Sequence, residues 1–419
     1  MDFDLNDKTK KLLEKVTDFM EKNVYPNEHV AHEQIEASGN KHHHPQIIEE
    51  LKAKAKAAGL WNLFLPDKEH GAGLTNLEYA PLSEAMGRSQ MGSEVFNCSA
   101  PDTGNMEILA EFGSKEQKKQ WLEPLLDGKI RSCFSMTEPE TAGSDPTLLQ
   151  TRAERKGDNY VINGRKWFTS NAYHPLCKIA IAMVVTDPSA EPHRRASQIL
   201  VPLGTPGMKL KRPVPVVNHD GGHAHAEVIY DNVTVPASNL LGKEGDGFPI
   251  SQARLGPGRI HHCMRAIGGA ERALDLLCQR ALNRKTHGSL LSEKGLIQNW
   301  IAECRMAIDQ SRLLVLYTAW KMDKYGKKEA RQEISMVKTV AANMYQTVCD
   351  RAMQVHGAMG LTNDTPLMNM WAYARTLRLA DGPDEVHNMV VARRELKRVS
   401  QLKTAAIPAP MAAPAARAR

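Results

Sequence analysis

The chain has 419 residues, 42% of them hydrophobic and 24% charged, and a formal net charge of +6. That is an ordinary soluble globular composition with length for two or three domains; the positive balance suits a phosphate-bearing anionic ligand without demanding nucleic acid. Seven scattered cysteines with no C-x-x-C pair argue against a disulfide frame or a zinc site, the charged start (Asp2, Asp4, Asp7, Lys8) against a signal peptide, and the lack of a long apolar run against a bilayer span.

To about Lys129 the chain reads helical. Leu12, Val16, Phe19 and Met20 form one apolar stripe behind a cap candidate at Asn6. A second helix starts after Pro45, and helical spacing returns over 77–87 and 115–126, with a loop at 66–73. From Ser132 to about Asn239 the pattern is that of strands. Gly157-Asp158 and Asn163-Gly164 are turn pairs flanking the run Tyr160-Val161-Ile162, and further strands are expected over 178–186, 198–203 and 226–235. The prolines and glycines of this block suit an antiparallel barrel or sandwich. After Gly247 long helical patterns return, one through Ile297, Trp300, Ile301, Cys304 and Ile308, another through Ile334, Val337, Ala341, Met344 and Val348, as in a bundle. The expected organisation is residues 1–130 helical, 131–246 β, 247–400 a helical bundle and 401–419 a disordered Ala/Pro-rich tail.

Five segments carry candidate chemistry. Residues 378–385 read R-L-A-D-G-P-D-E, with Asp381 ahead of Gly382-Pro383 and helical patterns on both sides (368–379 and 385–399). A carboxylate on such a bend is held firmly and can face a cavity as a proton-abstracting base; it can equally cap the second helix. Residues 133–144 (C-F-S-M-T-E-P-E-T-A-G-S) offer hydroxyls and backbone N–H groups to a planar polar ligand or a phosphate, or form a plain strand and turn. In 163–172 (N-G-R-K-W-F-T-S-N-A), Trp167 can shield a flat ring while Thr169 and Ser170 supply hydroxyls, or the aromatics are core. R-K-T-H-G at 284–288 suits a pyrophosphate or a basic helix end, and Q-V-H-G-A-M-G at 354–360 suits close backbone approach or a helix C-cap. Elsewhere, His42-His43-His44 precedes Pro45 in a loop, where three adjacent rings rarely converge on one metal. His261-His262 falls in a helical pattern, so the rings point apart into surface or core positions; Glu138 and Glu140 form a carboxylate pair without other signs of glycosidase chemistry.

Taken together and in this order, the segments resemble the acyl-CoA dehydrogenase family over about residues 5–400. The marks are F-S-M-T-E-P-E-T-A-G-S at 134–144, N-G-x-K-W-x-T at 163–169, R-K-T-x-G at 284–288, Q-V-H-G-x-x-G at 354–360 and D-G-P-D-E at 381–385. The closing segment and R-L-G-P-G-R at 254–259 look like the subgroup found as the dehydrogenase domain of the ACAD ten and eleven proteins. The resemblance implies an α+β, mostly α fold: an N-terminal helical domain, a middle antiparallel β-barrel and a C-terminal four-helix bundle. It implies FAD between barrel and bundle, met by Phe134, Met136, Thr137, Gly143, Ser144, Trp167, Phe168, Thr169, Ser170, Pro383 and Glu385. Arg284, Thr286, Gln354 and Gly357 would hold its pyrophosphate and ribose from a second subunit, and Ser144, Arg259 and Gly382 would meet coenzyme A or the substrate. No metal is implied. Asp381 falls where most members carry a glutamate base; a minority place the base at the position that here is Gly258, which has nothing to offer. His287 replaces the usual phenylalanine.

The activity this implies is FAD-dependent α,β-dehydrogenation of a fatty acyl-CoA to a trans-2-enoyl-CoA in β-oxidation. Asp381 would take the α-proton, with its pKa raised by burial, and its backbone N–H would help hold the developing oxyanion. An electron-transferring flavoprotein would collect the electrons, and the enzyme would be a cytoplasmic homodimer or homotetramer with no membrane or nucleic-acid partner. The alternatives are a flavoprotein oxidase of the same fold, nitroalkane- or acyl-CoA oxidase-like, and a flavin-bearing DNA-binding relative. The latter would need a dense basic face, whereas only short runs such as 8–11 and 324–331 occur. A non-catalytic scaffold is the remaining contrast.

Overall fold

The structure is a computed structural model that describes residues 4–217 and 225–402. Nearly all of the expected tail therefore lies outside the described residues. Helix α1 (Asp7–Phe19) starts where the cap was expected: Asn6 Oδ1 accepts the Thr9 N–H at 2.8 Å. Helices α2 (Glu28–Ser38), α3 (Gln46–Ala57), α4 (Asn76–Gly87), the short α5 (Gly92–Val95), α6 (Asp102–Phe112), α7 (Lys115–Gln117) and α8 (Glu123–Leu126) complete the first part. Val16, Phe19 and Met20 bury the α1 stripe. Helix α4 opens with a reciprocal cap, Thr75 Oγ1 accepting the Glu78 N–H and Glu78 accepting the Thr75 N–H.

The middle part contains β1 (Arg131–Ser135), β2 (Arg152–Lys156), β3 (Asn159–Ser170), β4 (Cys177–Val185), β5 (Ala196–Pro202), β6 (Met208–Val214), β7 (His225–Pro236) and β8 (Leu240–Leu241). They form one sheet in the order β6-β7-β3-β2-β4-β5-β8, with β1 also on β4. This corrects the expected antiparallel barrel. The sheet is mixed, because β1 and β2 both pair parallel to β4, and among the described residues it does not close. The cause lies in β1. It leaves the helical part already running alongside β4 and takes up that strand's edge, so β2 meets β4 only at Arg152↔Val185.

Gly157-Asp158 makes the β2–β3 turn as expected, but Asn163-Gly164 does not make a turn. It lies inside β3, at a register shift against β7 between Ile162 and Gly164. A Cβ on Gly164 would stand 2.5 Å from Thr151 Oγ1 and 2.7 Å from Thr151 Cα, so glycine here answers close backbone approach.

The last part comprises α9 (Gly247–Asn283), a hairpin of β9 (Lys285–Thr286) and β10 (Ser289–Leu290), α10 (Gly295–Tyr325), α11 (Arg331–His356), α12 (Leu367–Leu377) and α13 (Asp384–Ser400). The two hairpin residues, His287 (φ 46°) and Gly288 (φ 83°), supply the left-handed turn that matches strand twist. Helices α9 and α11 run alongside in the same sense: Cys263 lies beside Lys338, and Gly269 leaves room for the Tyr345 ring. One apolar core joins the N-terminal and C-terminal helices, and a second lies within the sheet.

Candidate active site

The bend between α12 and α13 places Asp381 in the left-handed region at φ 57°, followed by Gly382 at φ 103°. A non-glycine residue there is strained unless its surroundings hold it. Here Arg259 Nε donates to the Asp381 carbonyl at 2.9 Å, and His387 Nε2 stands 3.3 Å from the same oxygen. The Asp381 side chain does not cap α13, whose N-cap is Pro383 with no side-chain cap. It faces α9 instead: Oδ2 lies 3.4 Å from His262 Nε2, and 3.8 Å from where a Cβ on Gly258 would be. Among the described residues, no hydrogen bond takes up the Asp381 backbone N–H.

The electrostatics overturn one expectation. Burial alone would push the Asp381 carboxyl up, but the nearby His262 ring and the cations Arg254 and Lys338 outweigh it and hold the group below the usual carboxylate range. The shift is opposite in sign to the one expected from the sequence, because no local pattern shows α9 and α11 bringing cations to the bend. Lys338 is buried, donates to the Leu377 carbonyl, and is itself pushed down by burial.

Arg254 links this carboxylate to the sheet. Its guanidinium lies 4.2 Å from the centre of the Phe134 ring, and its Nε donates to Asn105 Oδ1 at 2.9 Å. Phe134 precedes Ser135, whose Oγ lies 3.3 Å from Thr169 Oγ1. Thr137 Oγ1 donates to the Trp167 carbonyl at 2.8 Å, and the Trp167 N–H donates to the Thr137 carbonyl at 3.0 Å. A buried ion pair braces this loop. Lys166 Nζ lies 2.8 Å from both the Met136 carbonyl and Glu138 Oε1, while Glu138 also accepts the Gln150 and Thr151 N–H groups. Glu140 pairs with Arg165, so the two glutamates do not act together.

Between Lys166 and Thr169 the β3–β7 register shifts, and Phe168 adopts φ 50°. The bulge leaves Trp167 half-buried and Phe168 41% exposed, edge to face at 4.8 Å. Thr169 is buried and Ser170 Oγ lies 2.7 Å from His225 Nδ1. Gly143 lies against Thr137, where a Cβ would crowd the threonine methyl at 3.0 Å, and Ser144 is exposed. A displayed aromatic pair beside hydroxyls and backbone donors is a donor set that fits a planar, polar ring such as a flavin.

Arg284, Thr286, Gln354 and Gly357 are not at this place. Arg284 is 25 residues along α9 from Arg259, about 37 Å at 1.5 Å per residue, and Gln354 is 16 residues, about 24 Å, along α11 from Lys338. All four share the far end of the bundle, with Arg284, Gln354 and Gly357 exposed. Gly357, at φ 65°, is the C-cap of α11. Glu385, in the first turn of α13, is exposed too.

Sequence reading passed over Arg254, His262, Lys338 and His387. Of the adjacent pair, His261 is a core residue edge to face with Tyr79, whereas His262 points at the carboxylate. The available signal was spacing: His262 is one turn, i+4, beyond Gly258 on the same helix face. The His42–His44 loop shows no convergence on one point. His42 stacks on Tyr173, while His44 lies between Glu49 (2.7 Å) and His174 (3.1 Å). The Leu176 N–H donates to His174 Nδ1, so His174 Nε2 carries the hydrogen and donates to His44, which passes one on to Glu49. With Glu94, His44 and His174 bring one potential ligand atom each within 4.8 Å of one another, a grouping that does not involve His42 or His43.

Helices, a mixed sheet and a second set of long helices, with a carboxylate held on a bend and an aromatic pair displayed at a bulge in the sheet, fit a flavoprotein-type oxidoreductase. Sequence profiles for the acyl-CoA dehydrogenase N-terminal, middle and C-terminal domains match residues 6–129, 133–233 and 245–396. The chain belongs to the acyl-CoA dehydrogenase family, whose members are FAD-binding oxidoreductases. It is 52% identical over 409 residues to the probable acyl-CoA dehydrogenase FadE2 of Mycobacterium tuberculosis, covering 97% of this chain and 100% of that one. It is 50% identical over 406 residues to acyl-CoA dehydrogenase family member 11 of Gallus gallus, covering 96% of this chain and 52% of that protein. The chain thus spans about half the length of its family member 11 relatives. A solved structure of a putative acyl-CoA dehydrogenase from Mycobacterium abscessus superposes with a TM-score of 0.92 at 49% identity, covering 94% of this chain and 100% of that one. No described helix is long and apolar enough to cross a membrane.

Proposed function

We propose that the protein dehydrogenates a fatty acyl-CoA to its trans-2-enoyl-CoA, with Asp381 as the base that removes the α-proton. The observation that carries this is the clamped, left-handed Asp381, its carboxylate beside the open Gly258 position and linked through Arg254 to the Phe134–Thr169 surface. Bound FAD would supply the two-electron acceptor for the β-hydride.

The rest of the chemistry is the chain's own. Trp167, Phe168, Thr137, Thr169 and Ser170 would hold the ring, with Phe134, Met136, Gly143, Pro383 and Glu385 around it. Ser144, Arg259 and Gly382 would meet the coenzyme A ester. As the proton leaves, negative charge grows on the thioester oxygen, and the Asp381 N–H, which no described residue accepts, would receive it, a contribution of roughly 3–4 kcal/mol. The carboxylate starts ionised, so no prior deprotonation is needed at neutral pH.

Arg284, Thr286, Gln354 and Gly357 lie too far along α9 and α11 to serve the same chain's ring, so their proposed hold on the pyrophosphate and ribose belongs to a neighbouring copy. A homodimer or homotetramer follows, and exposed Leu282, Leu296 and Leu361 at that end suit its interface. An electron-transferring flavoprotein is the proposed acceptor, and the cytoplasm the proposed location. The test is Asp381→Asn: FAD should be retained and anaerobic bleaching by acyl-CoAs of several chain lengths lost. Bleaching at the wild-type rate would overturn the assignment. Peroxide formation without any carrier protein would redirect it to an oxidase.

A further inference from the structure

His262 sits 3.4 Å from Asp381 Oδ2 through Nε2, while its Nδ1 lies 3.0 Å from an Arg265 guanidinium nitrogen and 3.3 Å from the Tyr373 hydroxyl. A guanidinium only donates, so Nδ1 must carry the lone pair. The ring hydrogen is then on Nε2, pointing at the carboxylate. Burial first, and then the Arg265 charge, push His262 below the ordinary imidazole range, so the ring is neutral at physiological pH.

We propose that His262 is the positioning residue for the base: its Nε2–H holds Oδ2 of the short aspartyl side chain, keeps the carboxylate ionised, and leaves Oδ1 to take the substrate proton. This rests on the reading of Asp381 as base. Asp has one methylene fewer than Glu, so its oxygens sit close to the backbone and a single fixed donor decides which of them faces the cavity. The other charged or titratable groups around the carboxylate include Arg254, Arg259, Cys263 and Arg265 of α9, Lys338 of α11, Tyr373 of α12, and Asp384 and His387 of α13. Arg259 and His387 bond to the Asp381 carbonyl and not to its carboxylate. Among the described residues, His262 Nε2 is the side-chain nitrogen that lies within 4.0 Å of that carboxylate.

The test uses the holoenzyme and an acyl-CoA analogue with sulfur in place of the β-methylene, which loses its α-proton but has no β-hydride to give. Proton abstraction is followed by long-wavelength absorbance across pH. His262→Phe should slow it about 10- to 100-fold with unchanged analogue affinity, and move its acid limb up by about one to two pH units, the loss expected for one donor to a charged group. His262→Gln, which keeps an N–H donor, should recover most of both effects. In the wild type, 15N-histidine NMR should show the His262 Nε2–H tautomer at pH 7, identified by its absence from His262→Gln. An Nδ1–H tautomer, or a folded His262→Phe with an unmoved acid limb, overturns the proposal. Should His262→Phe not fold, an unrescued limb in His262→Gln overturns it as well. If Asp381→Asn still abstracts the proton, the base assignment fails instead, and the tautomer measurement separates the two.

Discussion

Replacing Lys166 by methionine tests the brace beneath the Met136–Glu138 loop. Lys166 is fully buried, and Glu138 nearly so. Burial pushes the Lys166 ammonium down to about 8, Glu138 working against it, so the pair is charged at pH 7. Lys166→Met keeps most of the side-chain volume but strands the Glu138 charge on two backbone N–H donors and frees the Met136 carbonyl. Breaking a buried pair from one side costs about 3–5 kcal/mol. For 419 residues, at about 2.1 cal/mol/K per residue, that lowers Tm by about 3–6 °C. Because Met136 and Thr137 lose their support, FAD should also be retained less well through gel filtration. Lys166→Met/Glu138→Gln should recover part of the loss, since no uncompensated charge remains. Differential scanning calorimetry with flavin absorbance reads both effects. A Tm change under about 1 °C with full flavin content would refute the reasoning, since the pair would then be solvated or unformed.

Further outcomes follow from the same geometry. Glu49 is held down at about 2: burial would raise it, but hydrogen bonds from His44 and Lys52 prevail. Its stabilisation is therefore present above about 4.5 and lost as pH falls towards 2, and the Tm gap between wild type and Glu49→Gln should close across that window. Gly164→Ala drives a Cβ into Thr151 and should cost about 1–3 kcal/mol by denaturant unfolding, whereas Gly157→Ala meets no atom within 4 Å and costs only the φ 58° strain. Arg284→Ala should leave Tm near wild type but weaken FAD retention on dilution, where a within-chain site would show no concentration dependence.

The helices, most strands and the candidate base were legible in the sequence because each leaves a local trace. Asn6 announced α1, apolar spacing announced α10 and α11, and Gly382-Pro383 announced the bend that carries Asp381. The Asn163-Gly164 pair misled, since a turn dipeptide also suits a bulge when a neighbouring strand needs room.

What the residues determined alone was the order of helical and β parts, the family-like segments and which carboxylate stands on the bend. Tertiary structure decided that β1 runs parallel to β4, that His262 and not His261 meets Asp381, and that Arg284 lies far from it. It also decided the sign of the Asp381 pKa shift. These depend on distances between residues far apart in sequence, Arg254 and Lys338 against Asp381, and charge acts through space, so no local pattern records it.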